Sequence, residues 1–268
     1  MSAQHILFDV TDRVATVTLN RPEAMNALAG DMRETILQRL EDCAGDPNVR
    51  CVVITGTGNA FCAGGDIAAM AQWQQNNDDS VLVSHLVVVE KVVRLLRAMA
   101  KPVIAAVNGP AAGGGMNMAL GCDIRLGCEN TLFSESFVKI GLIPDWGGFQ
   151  SLTRLVGAAK AMELMMTGDR VGAEEALRLG LLNQIFPMNS YRGEVQAFAQ
   201  RLASGPPRAL AAIKKGVHFA AQAALDEVLE FERQNQAALI LSADSREGMR
   251  AFLEKRPPIF GSAAGAGE

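Results

Sequence analysis

The chain has 268 residues, 49% of them hydrophobic and 20% charged, which sets aside a disordered chain and suits one large domain or one domain with an appendage. A net charge of −4, from 25 basic and 29 acidic residues, argues against a nucleic-acid-binding surface. Cys43, Cys51, Cys62, Cys122 and Cys128 show no CxxC spacing, and the three histidines, His5, His85 and His218, are scattered; a disulfide framework and a metal centre are not expected, and a reducing, cytoplasmic setting is.

The opening residues carry neither a basic leader nor a long apolar run, so no targeting segment is expected. Val14–Leu19 alternates, with Ala15, Val17 and Leu19 on one face, and predicts a strand that stops at Asn20-Arg21-Pro22. Leu28, Met32, Ile36, Leu40 and Ala44 recur every four residues and predict a helix. Cys51–Thr55 reads as a buried strand and Leu82–Leu96 as a second helix. The uncharged run 102–122 is long enough to suggest a membrane span. Its prolines and glycines favour a buried strand at 103–107, a glycine turn and a short helix. Beyond about Pro206 only helical patterns remain, and the last residues, 261–268, are small and polar. The expected organisation is α/β: a strand–helix core over 1–195, a helical region over 196–260 and a disordered tail over 261–268.

Two glycine-rich turns, Phe61-Cys-Ala-Gly-Gly-Asp66 and Asn108–Asn117, each follow a predicted strand and open a predicted helix. Glycines there let backbone N–H groups approach a ligand, or simply allow tight packing. Neither turn matches a nucleotide-binding glycine pattern.

Taken in order with Leu19-Asn-Arg-Pro22, Met25-Asn26, Lys101–Gly109, Gly121-Cys-Asp123, Ile140–Pro144 and Gly147-Gly148, these turns make the chain resemble the enoyl-CoA hydratase/isomerase (crotonase) superfamily over residues 4 to 260. The resemblance implies a spiral of ββα units with a C-terminal helical region that builds trimers or dimers of trimers. It implies an acyl-CoA thioester as ligand, with coenzyme A part of the substrate and no separate cofactor. It places the thioester oxygen between the N–H groups of Gly65 and Gly114, donors suited to an enolate oxyanion. Ala24, Met25, Ala63, Asp66 and Ile67 would line the CoA path, completed by Phe252 and Lys255 from a neighbouring subunit.

The departures from the family pattern bear on the reaction. Similar hydratases carry two water-holding glutamates at the positions of Asn117 and Phe137. Glu135 stands two residues from Phe137; in an extended segment it would share that residue's face ~6–7 Å away. It is a candidate acid, or else a surface or subunit-contact glutamate. Asp145, in Leu142-Ile-Pro-Asp-Trp-Gly-Gly148, occupies the position where similar Δ3,Δ2-enoyl-CoA and phenylacetate-pathway isomerases put their single base. A single carboxylate suits a 1,3-proton shift; the competing reading is a helix-capping aspartate. Met70, Met116, Phe137 and Trp146 would wall an apolar pocket, and Asn117 would bind substrate or satisfy buried backbone. The expected activity is therefore an acyl-CoA isomerase using Asp145. The alternatives are a hydratase with a rebuilt water site, a dehalogenase-like use of Asp145 as nucleophile, and a non-catalytic CoA-binding scaffold. His85 reads as a packing histidine, Cys62 as a packing thiol and Asp123 as a turn brace.

Overall fold

The computed structural model of the protein describes residues 4–261. The tail expected to be disordered lies outside the described residues apart from Gly261. The chain opens with an antiparallel pair, β1 (Ile6–Thr11) and β2 (Val14–Leu19), followed by α1 (Met32–Gly45) and β3 (Cys51–Gly56). Helices α2 (Ile67–Gln75) and α3 (Ser80–Ala98) lead to β4 (Val103–Val107), β5 (Pro110–Ala112) and α4 (Gly114–Gly121). The expected strand, turn and helix thus account for the uncharged run, and among the described residues no helix is long and apolar enough to cross a membrane. Strands β6 (Ile124–Cys128) and β7 (Leu132–Ser134) precede α5 (Gly148–Thr167), β8 (Arg170–Gly172), α6 (Ala173–Arg178) and β9 (Gln184–Phe186). Helices α7 (Tyr191–Ala203), α8 (Pro207–Ala220), α9 (Leu225–Ile240) and α10 (Ala243–Leu253) close the fold.

The main sheet has the order β1-β2-β3-β4-β6-β9, parallel from β2 onward, and a second sheet has the order β5-β7-β8. Alternation explains the layers. Ala15, Val17 and Leu19 of β2 and Val52 and Ile54 of β3 face the larger core under α1, α3, α4 and α5; Val14, Cys51 and Val53 face a smaller one under α7. The α1 stripe closes on Cys43, with Ala44 exposed, because 3.6 residues per turn drift off a strict four-residue spacing. The expected boundary at 195 falls inside α7, whose Val195, Ala199 and Ala203 pack on the sheet.

After α7 the chain leaves the sheet. Lys214 of α8 is anchored on Asp123, at 2.8 Å, and on the carbonyl of Leu96, at 2.7 Å; Asp123 also accepts from the Val103 amide at 2.8 Å, the brace expected of it. Further on, Leu225, Leu241, Phe252 and Leu253 are 70–82% exposed, which leaves apolar surface on α9, α10 and the turn between them in water.

Candidate active site

The two glycine turns leave the C-terminal ends of adjacent parallel strands, β3 and β4, so the sheet itself brings them together. Cys62 bridges Ala111, and the Ala112 amide donates to the Cys62 carbonyl at 2.9 Å. Gly64 takes φ +90, where a side chain is strained. A Cβ there would sit 2.8 Å from the Ala112 carbonyl and 3.3 Å from the Gly114 amide nitrogen. Gly65 is thereby held beside Gly114, the first residue of α4. Among the described residues neither the Gly65 nor the Gly114 N–H has an acceptor. Two free amide donors, one at a helix N-terminus, form a pocket for partial negative charge.

One wall comes from the segment after β7. Trp146, at φ +51 and 3% exposed, lays its indole against Gly114: a Cβ on Gly114 would meet it at 2.9 Å. That close approach is why glycine stands here. The Phe137 ring lies 3.6 Å from the corresponding point on Gly113. Asp145 points its Oδ1 at the same place, 3.5 Å from the point a Gly114 Cβ would occupy. It does not cap α5, whose N-cap is Gly147 with no side-chain bond, so the capping alternative is excluded. Burial pushes its carboxyl up to about 6, against the pull of Arg33.

Glu135 is 1% exposed, which overturns the surface-glutamate reading. The residues after it form a 3-10 turn, Ser136–Ile140, not an extended strand. Glu135 therefore faces Asn117 while Phe137 faces Gly113. Burial raises Glu135 to about 7; the Asn117 amide opposes this and Asp145 adds to it. Asn117, fully buried on α4, donates to Glu135 Oε2 at 3.4 Å and to the Asp145 carbonyl at 3.0 Å. Gly148 leaves room for that amide; a Cβ there would be 2.2 Å away.

Among the described residues, the buried side-chain polar atoms without a hydrogen-bond partner are Asn117 Oδ1, Glu135 Oε1, Asp145 Oδ1 and His85 Nδ1. Buried polar atoms are rarely left unpaired. Three of them lie on residues joined through Asn117, beside the two free amides.

The remaining expected positions divide. Ala63 donates its amide to the Met25 carbonyl at 2.9 Å, which joins the Ala24–Met25 turn to the first glycine loop. Met25 and Ile67, each 55% exposed, put apolar surface at the rim. Asp66 is committed to structure: it caps α2 through the Ala68 and Ala69 amides and pairs with Arg21 at 3.2 Å. Met116 is 1% exposed within the core, and the Cys62 thiol, pushed up to about 12 by burial, is inert as expected. The segment bearing Phe252 and Lys255 runs on to Phe260, whose carbonyl accepts from Arg50 at the start of β3. That is the end of the strand opposite the glycine loops.

Arg33 was not singled out from the sequence. It is 8% exposed, and its Nη2 comes within 3.8 Å of the Cβ position of Gly65. The signal was available: Arg33, Ile36 and Leu40 follow the i, i+3, i+7 spacing of one helix face. His85 packs its ring edge-on against Trp73 at 5.4 Å, and its Nδ1 is unpaired.

The comparisons with known proteins agree with this architecture. The sequence model of the enoyl-CoA hydratase/isomerase family matches residues 9–263, and the chain belongs to that family. A Rhodobacter capsulatus protein named as a probable enoyl-CoA hydratase is 40% identical over 260 residues, 97% of this chain and 99% of that one. The 1,2-epoxyphenylacetyl-CoA isomerase of Escherichia coli is 38% identical over 262 residues, 96% of this chain and 98% of that one. The solved enoyl-CoA hydratase of Polaromonas sp. JS666 superposes with a TM-score of 0.91 at 34% identity, over 96% of this chain and 99% of that one. The crotonase-type fold expected from the resemblance is thus the fold found.

Proposed function

We propose that the protein is an acyl-CoA isomerase that moves a double bond by a 1,3-proton shift, with Asp145 as its base. The observation that carries this reading is the placement of a single unpaired carboxylate oxygen against Gly114, beside two free amides. In a 3-enoyl thioester, Asp145 takes a proton from the α-carbon. The C–H pair moves into the enolate, and its oxygen is held by the Gly65 and Gly114 N–H groups. The electrons then return through the diene, the γ-carbon takes the proton from Asp145, and a conjugated 2-enoyl thioester leaves. The base ends as it began, and coenzyme A stays bonded to the acyl group throughout. A carboxyl raised to about 6 both accepts and returns a proton near neutral pH. Phe137, where hydratase-like relatives carry a glutamate, and Trp146 wall the site with apolar surface that disfavours a reacting water.

A second reading is favoured by one observation. The unpaired oxygens of Asn117, Glu135 and Asp145 are the acceptors a bound water would need, which supports hydration of a 2-enoyl thioester. Incubation with trans-3-hexenoyl-CoA separates the two. Isomerisation produces conjugated-enoyl absorbance without mass gain; a following gain of 18 daltons, the mass of one water, favours the hydratase. Assembly as a homotrimer or dimer of trimers belongs to the same proposal, supported by the exposed apolar faces of α9 and α10. It would bring Phe252 and Lys255 of one copy to the CoA path of another.

A further inference from the structure

Arg33 is a largely buried residue whose guanidinium has no partner among the described residues and keeps its nitrogens open to solvent. It stands in the first turn of α1, 8% exposed. Among the described residues it makes neither an ion pair nor a hydrogen bond. Its guanidinium remains charged at any working pH and holds five N–H donors. Its nitrogens are not among the sealed, unpaired polar atoms, so water reaches them in the free protein, and a ligand that displaces this water must supply acceptors in its place. The titratable side chains that face it are Asp145 from the turn before α5, its neighbour Glu34, Asp66 and Cys62 from the first glycine loop, and His85 from α3. None of the carboxylates comes within 4 Å. His85, on the same side, has its own unpaired Nδ1. Burial and the Arg33 charge hold that imidazole below its ordinary range, so it is neutral and able to donate or accept.

The guanidinium lies close to Gly65, 3.8 Å from its Cβ position, hence beside the place proposed for the thioester carbonyl. That carbonyl is already served by two amides. A plain hydrocarbon chain offers no further acceptor, and would leave Arg33 and His85 buried and unpaired in the complex.

We propose that Arg33, beside Gly65, makes the site select thioesters whose acyl chain carries a second acceptor oxygen, as a carboxylate or a carbonyl. The inference rests on the acyl-CoA reading above. A carboxylate would take two parallel N–H groups of the guanidinium; a carbonyl would take one, with His85 alongside.

The test is calorimetric binding of three thioesters of equal acyl length: pentanoyl-CoA, 4-oxopentanoyl-CoA and glutaryl-CoA. All are saturated, so no double bond can shift during the titration. The wild-type protein is expected to bind at least one oxygenated thioester ~10-fold or more tighter than pentanoyl-CoA, the usual scale of a hydrogen bond to a charged group. The preference should fall to about twofold or less in Arg33→Met and survive in part in Arg33→Lys. Which oxygenated probe binds tighter tells an anionic acceptor from a neutral one. Equal binding of all three to the wild-type protein overturns the assignment, as does a preference that persists in Arg33→Met. The wild-type comparison stands even if a variant fails to fold. If no thioester binds better than free coenzyme A, the acyl-CoA reading falls and the Arg33 assignment with it.

Discussion

Replacing Asp145 with asparagine should inactivate the protein and stabilise it. The carboxyl is held at about 6 against an ordinary value of 3.8, a rise of about two pKa units. At ~1.36 kcal/mol per unit, ionising it in the folded state costs up to about 3 kcal/mol. The folded state therefore holds a proton that the unfolded state has released between about pH 4 and pH 6. Stability falls as pH rises through that window and stays low above it. Asparagine carries no charge, so Asp145→Asn should unfold at higher urea than the wild-type protein at pH 8, and the gap should close towards pH 4. Denaturation at matched protein concentration measures this directly, since assembly shifts apparent stability by mass action. A variant less stable than wild type at pH 8 would refute the reasoning, because it would mean that the carboxylate is a structural partner and not a strained base.

Three other substitutions probe the surroundings. Gly114→Ala drives a Cβ to 2.9 Å from the Trp146 indole; displacing one preorganised donor should lower kcat ~100-fold or more, while circular dichroism shows the fold retained. Glu135→Gln removes the group raised to about 7. Its burial penalty is present above pH 7 and absent below about pH 4, so the variant should gain stability at alkaline pH and lose one ionisation from the pH–rate profile. Asp66→Ala removes the α2 cap and the Arg21 pair and should destabilise by ~1 kcal/mol, read by urea titration, without moving the pH–rate profile.

The parts of the fold fixed by local pattern were legible in the sequence. β2, β3 and β4 alternate or run apolar as buried strands do, and the prolines and glycines of 102–122 told a strand, turn and helix from a membrane span. The two glycine turns were legible because close backbone approach leaves few other residue types available. Arg33 and Glu135 were harder. Arg33 shares the spacing of the buried α1 face, but a charged residue at such a position is set against the first glycine loop only by the fold; Glu135 is buried against α4, and no local period reports that. An extended segment would put Glu135 on the same face as Phe137, whereas a 3-10 turn begins at Ser136 and rotates the side chains off a two-residue alternation. The division at 195 followed the loss of strand signals, but α7 is amphipathic and its Val195, Ala199 and Ala203 stay on the sheet to Ala203.

The central claim is that Asp145 carries one proton from the α- to the γ-carbon of a thioester held by Gly65 and Gly114. The most direct measurement is a single turnover of trans-3-hexenoyl-CoA dideuterated at the α-carbon, with product analysed by mass spectrometry and NMR. The account predicts a conjugated product with part of the deuterium at the γ-carbon, and no such transfer in Asp145→Asn. A product 18 daltons heavier from added water, with no deuterium at the γ-carbon, or transfer that persists in Asp145→Asn, would contradict it.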